Sequence, residues 1–338
     1  MSQAGELFSS PPDGVTYALP QEDFPGVLKR KILAWMEARP WNLYLDPSLS
    51  QGRDVLSTML SIDPATLTLT HGADDAIRRI AEGLQPTAIL YPLSGYPGYR
   101  RAVEVTSSQG KTYVPDATAQ DIRSQLDEGG PGDRALVYVC WPGNPIGSTD
   151  QLHSLNLLTE AAGAVVVDLT YMNPLGKDFA SVARNALGCE ASVVFSFSKS
   201  LGLAGVRLGG VITAASRPLA LSPSEHFPWT LFQALTLDAI LDPDNSSELQ
   251  AYASRQLALR AEIVRAAYQV GIPIAYADGI TFVSIHSREL TEVFLLEAAS
   301  RGVAKHYPEL GLIRLDVSHA TLNLIGRVGA PTSSSRMW

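Results

Sequence analysis

Cysteine is scarce in this chain. Cys140 and Cys189 are the only two in 338 residues, too few and too isolated for a disulfide framework. That predicts a protein of the reducing cytoplasm, with Cys140, at the end of an apolar run, as a buried small hydrophobe. Positive charge is also short: 26 Lys and Arg against 34 Asp and Glu give a net charge of −8. No basic stretch exceeds Leu28-Lys29-Arg30-Lys31, which argues against nucleic acid as a partner. No apolar run approaches the length of a membrane span, so no membrane partner is expected. Met1 to Glu6 carries neither the basic nor the apolar block of a signal peptide. Six histidines (His71, His153, His226, His286, His306, His319) are scattered without metal-ligand spacing, and no metal site is expected. Neither a Gly-x-Gly-x-x-Gly after a strand nor a Walker A sequence occurs, so dinucleotide and ATP binding lack support.

What is present is a large apolar share: 46% of residues are hydrophobic and 18% charged, the profile of a compact enzyme. The length allows two domains. Short apolar runs alternate with helical patterns from Leu67 to Ala214. The strands expected are Leu67–Thr70, Ala88–Tyr91, Ala135–Cys140, Ala164–Asp168, Ser192–Ser196 and Gly209–Thr213. Most are too apolar for half-exposed strands and read as the centre of a sheet covered on both faces. Helical spacing falls between them, at Asp74–Leu84, Gln151–Ala162 and Asp178–Leu187. The pattern predicts an α/β fold with a mostly parallel sheet. A break at Leu221–Pro228 precedes a long helix, Ser246–Val270, then strand (Gly279–Ile285), helix (Leu290–Ser300) and strand (Leu312–Val317). The expected division is an N-terminal arm over 1–43, a large domain over 44–225, and a connecting helix with a small α+β domain over 226–338. The helix Val27–Ala38 is expected to pack with the small domain.

The densest chemistry lies in Ser196-Phe197-Ser198-Lys199-Ser200-Leu201-Gly202, with Arg207 eight residues after Lys199. A lysine after a strongly apolar strand suits a half-buried amine of lowered pKa that forms a Schiff base with a carbonyl. Serines, a glycine-rich backbone and an arginine suit a phosphate beside it. Together they suggest pyridoxal phosphate.

Other candidates follow the neighbouring strands, where an open parallel sheet gathers its ligands. His71-Gly72-Ala73-Asp74 opens a helix whose free amides suit a phosphate. Tyr96-Pro97-Gly98-Tyr99 offers an aromatic ring to a flat cofactor. Asn144, in Asn144-Pro145-Ile146-Gly147, can donate to a phenolic oxygen, and Asp168 can face a pyridine nitrogen, with Tyr171 three residues on. Taken singly, each has a bland reading as a cap, a turn or a structural hydrogen bond. Their joint order decides for a site.

In that order the motifs resemble those of the fold-type I PLP enzymes, most closely the class I/II aminotransferases of the histidinol-phosphate aminotransferase kind. The resemblance runs from about Tyr44 to Arg314. It implies a large domain with a mostly parallel sheet and a small α+β domain. It implies Lys199 as the Schiff-base lysine and proton shuttle, and Asp168 as the partner of the pyridine nitrogen. Asn144 and Tyr171 would hold the phenolic oxygen, with Tyr96 stacked on the ring. Gly72, Ala73, Asp74, Ser196, Ser198 and Arg207 would surround the phosphate, and Tyr44 would reach the phosphate of a partner subunit in a homodimer. Arg314, together with Asn144, would bind the substrate, Arg314 gripping its α-carboxylate. The implied activity is transamination of an amino acid or related amine, with a 2-oxo acid as acceptor.

The chain departs from the family around the substrate. The usual Asn-Glu-x-Pro-like segment is replaced by Ser9-Ser10-Pro11-Pro12-Asp13-Gly14-Val15. Ser318-His319-Ala320 stands where a glycine usually follows the arginine strand. These departures leave open a decarboxylase, a β/γ-lyase or a cyclase and, more remotely, a PLP-binding module without catalysis.

Overall fold

Every residue of Ala135–Cys140, Ala164–Asp168 and Ser192–Ser196 is buried, which makes these the centre of the molecule. In the computed structural model, residues 22–127, 134–147, 150–224, 226, 228–277, 281–287, 298 and 303–328 are described. The strands of the larger sheet are β1 (Leu67–Thr70), β2 (Ala88–Pro92), β3 (Gln109–Tyr113), β4 (Ala135–Cys140), β5 (Ala164–Asp168), β6 (Ser192–Ser196) and β7 (Gly209–Ile212). Their order is β1-β7-β6-β5-β4-β2-β3. Pairing is parallel from β3 through β6, while β7 runs antiparallel to β6 and β1. The carboxyl ends of β1, β2, β4, β5 and β6 therefore share one edge with the start of β7.

Side chains alternate across a strand, so each strand feeds two cores. Val137, Val139, Val165, Val167, Val193 and Phe195 belong to one. Leu136, Tyr138, Cys140, Ala164, Val166 and Val194 belong to the other. The helices are α1 (Gly26–Ala38), α2 (Ser50–Leu60), α3 (Gly72–Leu84), α4 (Pro97–Thr106), α5 (Ala119–Asp127), α6 (Leu155–Ala161), α7 (Lys177–Gly188), α8 (Leu231–Leu241), α9 (Ser246–Gln269) and α10 (His319–Val328). Ala76, Ile77, Ile80 and Ala81 of α3, with Tyr99 and Ala102 of α4, cover the second face. The first takes α5, α6 and α7 through Ile122, Leu155, Leu158, Phe179 and Ala183.

A second, antiparallel sheet has the order β10-β11-β9-β8, with β8 Ile274–Tyr276, β9 Phe282–His286, β10 Ala304–Tyr307 and β11 Leu312–Asp316. Its Val283, Ile285, Ile313 and Leu315 pack on Leu259 and Ile263 of α9 and on Leu324 and Ile325 of α10. Alternation then turns Ser284, Arg314 and Asp316 to the opposite face. That face meets the larger sheet: the Ser284 hydroxyl donates to the Pro145 carbonyl at 2.5 Å.

The six expected strands of the larger sheet are present. β3 was not anticipated, because Gln-Gly-Lys-Thr-Tyr is polar and lies at the sheet edge, where only one neighbour pairs with it. The helix expected over Val27–Ala38 forms, but Leu28 and Ile32 join the core of the larger sheet together with α8 rather than the core of the smaller one. The apolar α8, fixed at its start by a Thr230–Gln233 capping box, supplies the surface they need. The helix expected over Leu290–Ser300 lies almost wholly outside the described residues, as do Ser9–Val15 and the start of the strand expected from Gly279. No helix among the described residues is long and apolar enough to cross a membrane.

The turn from β1 into α3 lies directly against β7. Gly72 has φ +78, a conformation glycine adopts freely. A Cβ on Gly209 would stand 2.4 Å from the Phe195 carbonyl oxygen and 2.9 Å from the Gly72 Cα. Gly209→Ala therefore costs roughly 1–3 kcal/mol through forced backbone shifts, read as a lowered denaturant midpoint. Gly188→Ala, where an added Cβ meets nothing within 4 Å, shows no such loss.

Candidate active site

A cavity of about 450 Å³ opens at the shared strand edge, within the size range of small-molecule sites. Ala73, Asp74, Tyr96, Asn144, Asp168, Tyr171, Ser196, Ser198, Lys199, Arg207 and Arg314 line it, so most of the residues anticipated from the sequence converge. Gly72 stands behind the wall, where its Cβ would lie 3.2 Å from Arg207 Nη2. Tyr44 is elsewhere: it is 79% exposed on the surface of the single chain. His71 also faces away, hydrogen-bonded to Gln233 at 3.0 Å and packed on Trp229 with ring centroids 4.6 Å apart.

Alternation places Asp168 on the same sheet face as Ala164 and Val166, next to its register partner Cys140. Its carboxylate is satisfied by neutral donors. Thr170 donates to Oδ1 from its amide at 3.0 Å and its hydroxyl at 2.6 Å, and Tyr99 donates to Oδ2 at 2.6 Å. Burial pushes the Asp168 carboxyl upward, against these hydrogen bonds. A carboxylate 3% exposed is costly without a cation, and among the described residues none makes an ion pair with it. Tyr99 and Thr170 were missed as site residues, although Tyr99 closes the Tyr96-Pro97-Gly98-Tyr99 stretch and Thr170 stands between Asp168 and Tyr171. Nothing in a motif says which way a tyrosine hydroxyl points.

Asn144 and Tyr171 meet as expected, Asn144 Nδ2 donating to the Tyr171 hydroxyl oxygen at 2.6 Å. On its other side Asn144 Oδ1 accepts from Arg314 Nη1 and from the Tyr307 hydroxyl, both at 3.4 Å. The Asn144 amide thus links the two sheets. Tyr171 packs edge-on against Phe282 of β9. Its phenol is raised by burial first, with the nearby Arg314 opposing.

At the other end, Arg207 holds a left-handed backbone (φ 61), uncommon outside glycine and typical of constrained sites. Its Nη2 lies 2.7 Å from Asp74 Oδ2, and Tyr96 donates its hydroxyl to Asp74 Oδ1. Ser196 and Ser198 bring their hydroxyls to 3.0 Å from one another, both nearly fully buried. A guanidinium, two hydroxyls and the start of α3 form a donor set suited to a phosphate.

Lys199 lies between these ends. Burial, seconded by the positive charge of Arg314, lowers its ammonium to about 8, while Asp316 and Asp74 act in the opposite direction. Arg314 is 2% exposed, reached from β11. Lys305 and Tyr307 of β10 also line the cavity and were not anticipated, since Ala-Lys-His-Tyr lacks any apolar alternation that marks a strand. No cluster of three or more metal-ligating side chains occurs among the described residues.

The donor set fits pyridoxal phosphate by its own chemistry. Asp168 needs a cation that a protonated pyridine nitrogen supplies. The Asn144–Tyr171 pair suits a phenolic oxygen, Arg207 with the serines suits a phosphate, and a lysine of lowered pKa suits an aldehyde.

Comparison with known proteins agrees with this chemistry. Residues 17–323 match the family model described as "Aminotransferase class I and II". Among curated relatives, a histidinol-phosphate aminotransferase of Deinococcus radiodurans is 28% identical over 219 residues, 60% of this chain and 58% of that one. The chain covers similarly about half of two other relatives of the same name, 48% and 54% of their lengths. Among solved structures, a histidinol-phosphate aminotransferase of Sinorhizobium meliloti in complex with pyridoxal-5'-phosphate superposes with a TM-score of 0.71 at 17% identity, covering 93% of this chain and 89% of that one. A putative aminotransferase of Burkholderia pseudomallei gives a TM-score of 0.71 at 20% identity, covering 94% and 98%. At such identities the superpositions establish the fold, that of the fold-type I aminotransferases.

Proposed function

The chain belongs to the aminotransferase class I and II family, and we propose that it is a pyridoxal-phosphate-dependent aminotransferase of an amino acid or related amine, with a 2-oxo acid as acceptor. The observation that carries this reading is the convergence of Lys199, Asp168, the Asn144–Tyr171 pair and Arg207 on one cavity. Bound there, pyridoxal phosphate supplies an aldehyde that condenses with amines and a cationic ring that withdraws electrons from the bonds at the substrate's α-carbon.

The chain's own residues do the rest. Arg207, Ser196, Ser198 and the first turn of α3 hold the phosphate, with Gly72 and Ala73 giving the backbone close access. Asp168 stays ionised against the ring nitrogen, held by the Thr170 and Tyr99 donors. Tyr96 covers one face of the ring, and Asn144 and Tyr171 fix its orientation. Lys199 Nζ, neutral in a large fraction near pH 8, takes the proton from the substrate's α-carbon and returns it nearby as general base and acid. Arg314 and Asn144 orient the substrate through its carboxylate.

We read the assembly as a homodimer. Trp41, Leu43 and Tyr44 stand 74%, 64% and 79% exposed in near succession, and Leu33 of α1 is 58% exposed. Exposed aromatic and aliphatic side chains so close in the chain suit an interaction surface, and a second copy would cover them and bring Tyr44 toward the partner's phosphate site.

The reading is tested by incubating the PLP-loaded protein with a panel of amino acids and 2-oxoglutarate. Glutamate forms in step with loss of at least one amine donor. Amine consumption with release of carbon dioxide or ammonia, and no glutamate, would assign the site to decarboxylation or elimination instead.

A further inference from the structure

Arg314 shares its strand face with a second charge. Asp316 stands two residues on, its Oδ1 3.5 Å from Arg314 Nη2, with side-chain exposures of 16% and 3%. That oxygen is buried and accepts no hydrogen bond among the described residues. The contact with Arg314 is therefore a charge pairing without a close donor. Other charged and titratable groups face the same place: Lys199 from the turn after β6, Tyr307 from β10, and Lys305, the register partner of Arg314 on β10. Tyr307 donates toward Asn144, not toward Asp316.

A substrate carboxylate arriving at Arg314 would set a second anion beside a buried one. Two carboxylates that share a buried site cannot both stay ionised at low cost. We propose that Asp316 compensates the charge of Arg314 before a carboxylate arrives and makes carboxylate binding proton-coupled, one proton passing from solvent to the Asp316 carboxylate as the incoming carboxylate takes its place beside Arg314. This rests on the reading of Arg314 as the group that meets the substrate carboxylate.

The free state of Asp316 supports the exchange. Burial raises its carboxyl to about 6, against the lowering effect of Arg314 and Lys199. At neutral pH it is mostly ionised, yet a second anion nearby raises it through the working range. The sign follows: the bound state holds more protons, so affinity for a carboxylate falls as pH rises above about 6. Lys305, lowered by burial and then by Arg314, would also gain charge when an anion arrives, so the two groups must be separated.

The test uses the PLP-loaded protein and 3-phenylpropionate, a carboxylate with no amine to react. Calorimetric titration at pH 7.5 in Pipes and in triethanolamine, buffers of different ionisation enthalpy, reads the protons taken up. The expected result is uptake approaching one proton in the native protein. In Asp316→Asn most of that uptake is lost and binding is roughly tenfold tighter. Absence of uptake in the native protein overturns the inference without any variant. Uptake retained in Asp316→Asn overturns it in favour of Lys305. Arg314→Ala separates the layers: binding that it leaves unchanged overturns the underlying assignment of Arg314, and binding it abolishes, with no proton uptake in the native protein, overturns the role of Asp316 alone.

Discussion

Lys199→Ala lowers the rate of amino transfer by about 10⁴-fold or more, the upper range for removal of a general acid–base group. The loss is larger than a packing defect explains, because Nζ is the group proposed to carry the α-proton. Lys199→Arg is equally inactive. It keeps the charge, but a guanidinium does not deprotonate near neutral pH and cannot act as the base. Retention of a tenth of the native rate by either variant would remove Lys199 from the chemistry. The lowered pKa adds a kinetic signature. With Nζ near 8, roughly a quarter of the amine is neutral at pH 7.5, against about one in a thousand for a lysine at its ordinary value. Uptake of PLP by the apoprotein therefore quickens about tenfold per pH unit below 8 and levels off above it, since the neutral amine is the nucleophile.

Asp168→Asn is expected to lower kcat by roughly a hundred- to a thousandfold, in line with losing one preorganised electrostatic partner. The amide keeps the shape, and its single oxygen can still accept from Thr170, but its NH2 faces the Tyr99 hydroxyl where Oδ2 accepted, and it brings no charge to the ring nitrogen. Cofactor retention falls much less, because Lys199 and the Arg207–serine group remain. Steady-state kinetics with the cofactor saturating, beside a measured cofactor content, separates the two effects. A kcat within threefold of native would mean that the charge of Asp168 does not drive the reaction. Tyr99→Phe removes one hydroxyl donor from the same carboxylate, so its effect falls between native and Asp168→Asn.

The central strands were legible because burial on both faces leaves β4, β5 and β6 almost no polar residues. The polar edge strand β3 lacks that signal, and β10 is defined by its pairing with β11 rather than by its own pattern. The misplaced α1 shows the same limit: Leu28 and Ile32 announce a buried stripe but not which core receives it. At the site, the residues at strand ends were readable because strand order brings them together. The links between them were not. Tyr99 reaches Asp168 across 69 positions, and Arg314 reaches Asn144 across 170. Asp316 was invisible for a related reason: an aspartate near a strand end is commonplace, and only alternation and burial set it beside Arg314.

Every role proposed for the site depends on Lys199 as the covalent partner of the cofactor. Its most direct measurement is borohydride reduction of the PLP-loaded protein, followed by mass mapping of the modified peptide. The expected result is one pyridoxyl group per chain, on Lys199. Pyridoxyl on another lysine, or a native protein that holds PLP with no reducible bond to any lysine, would contradict it.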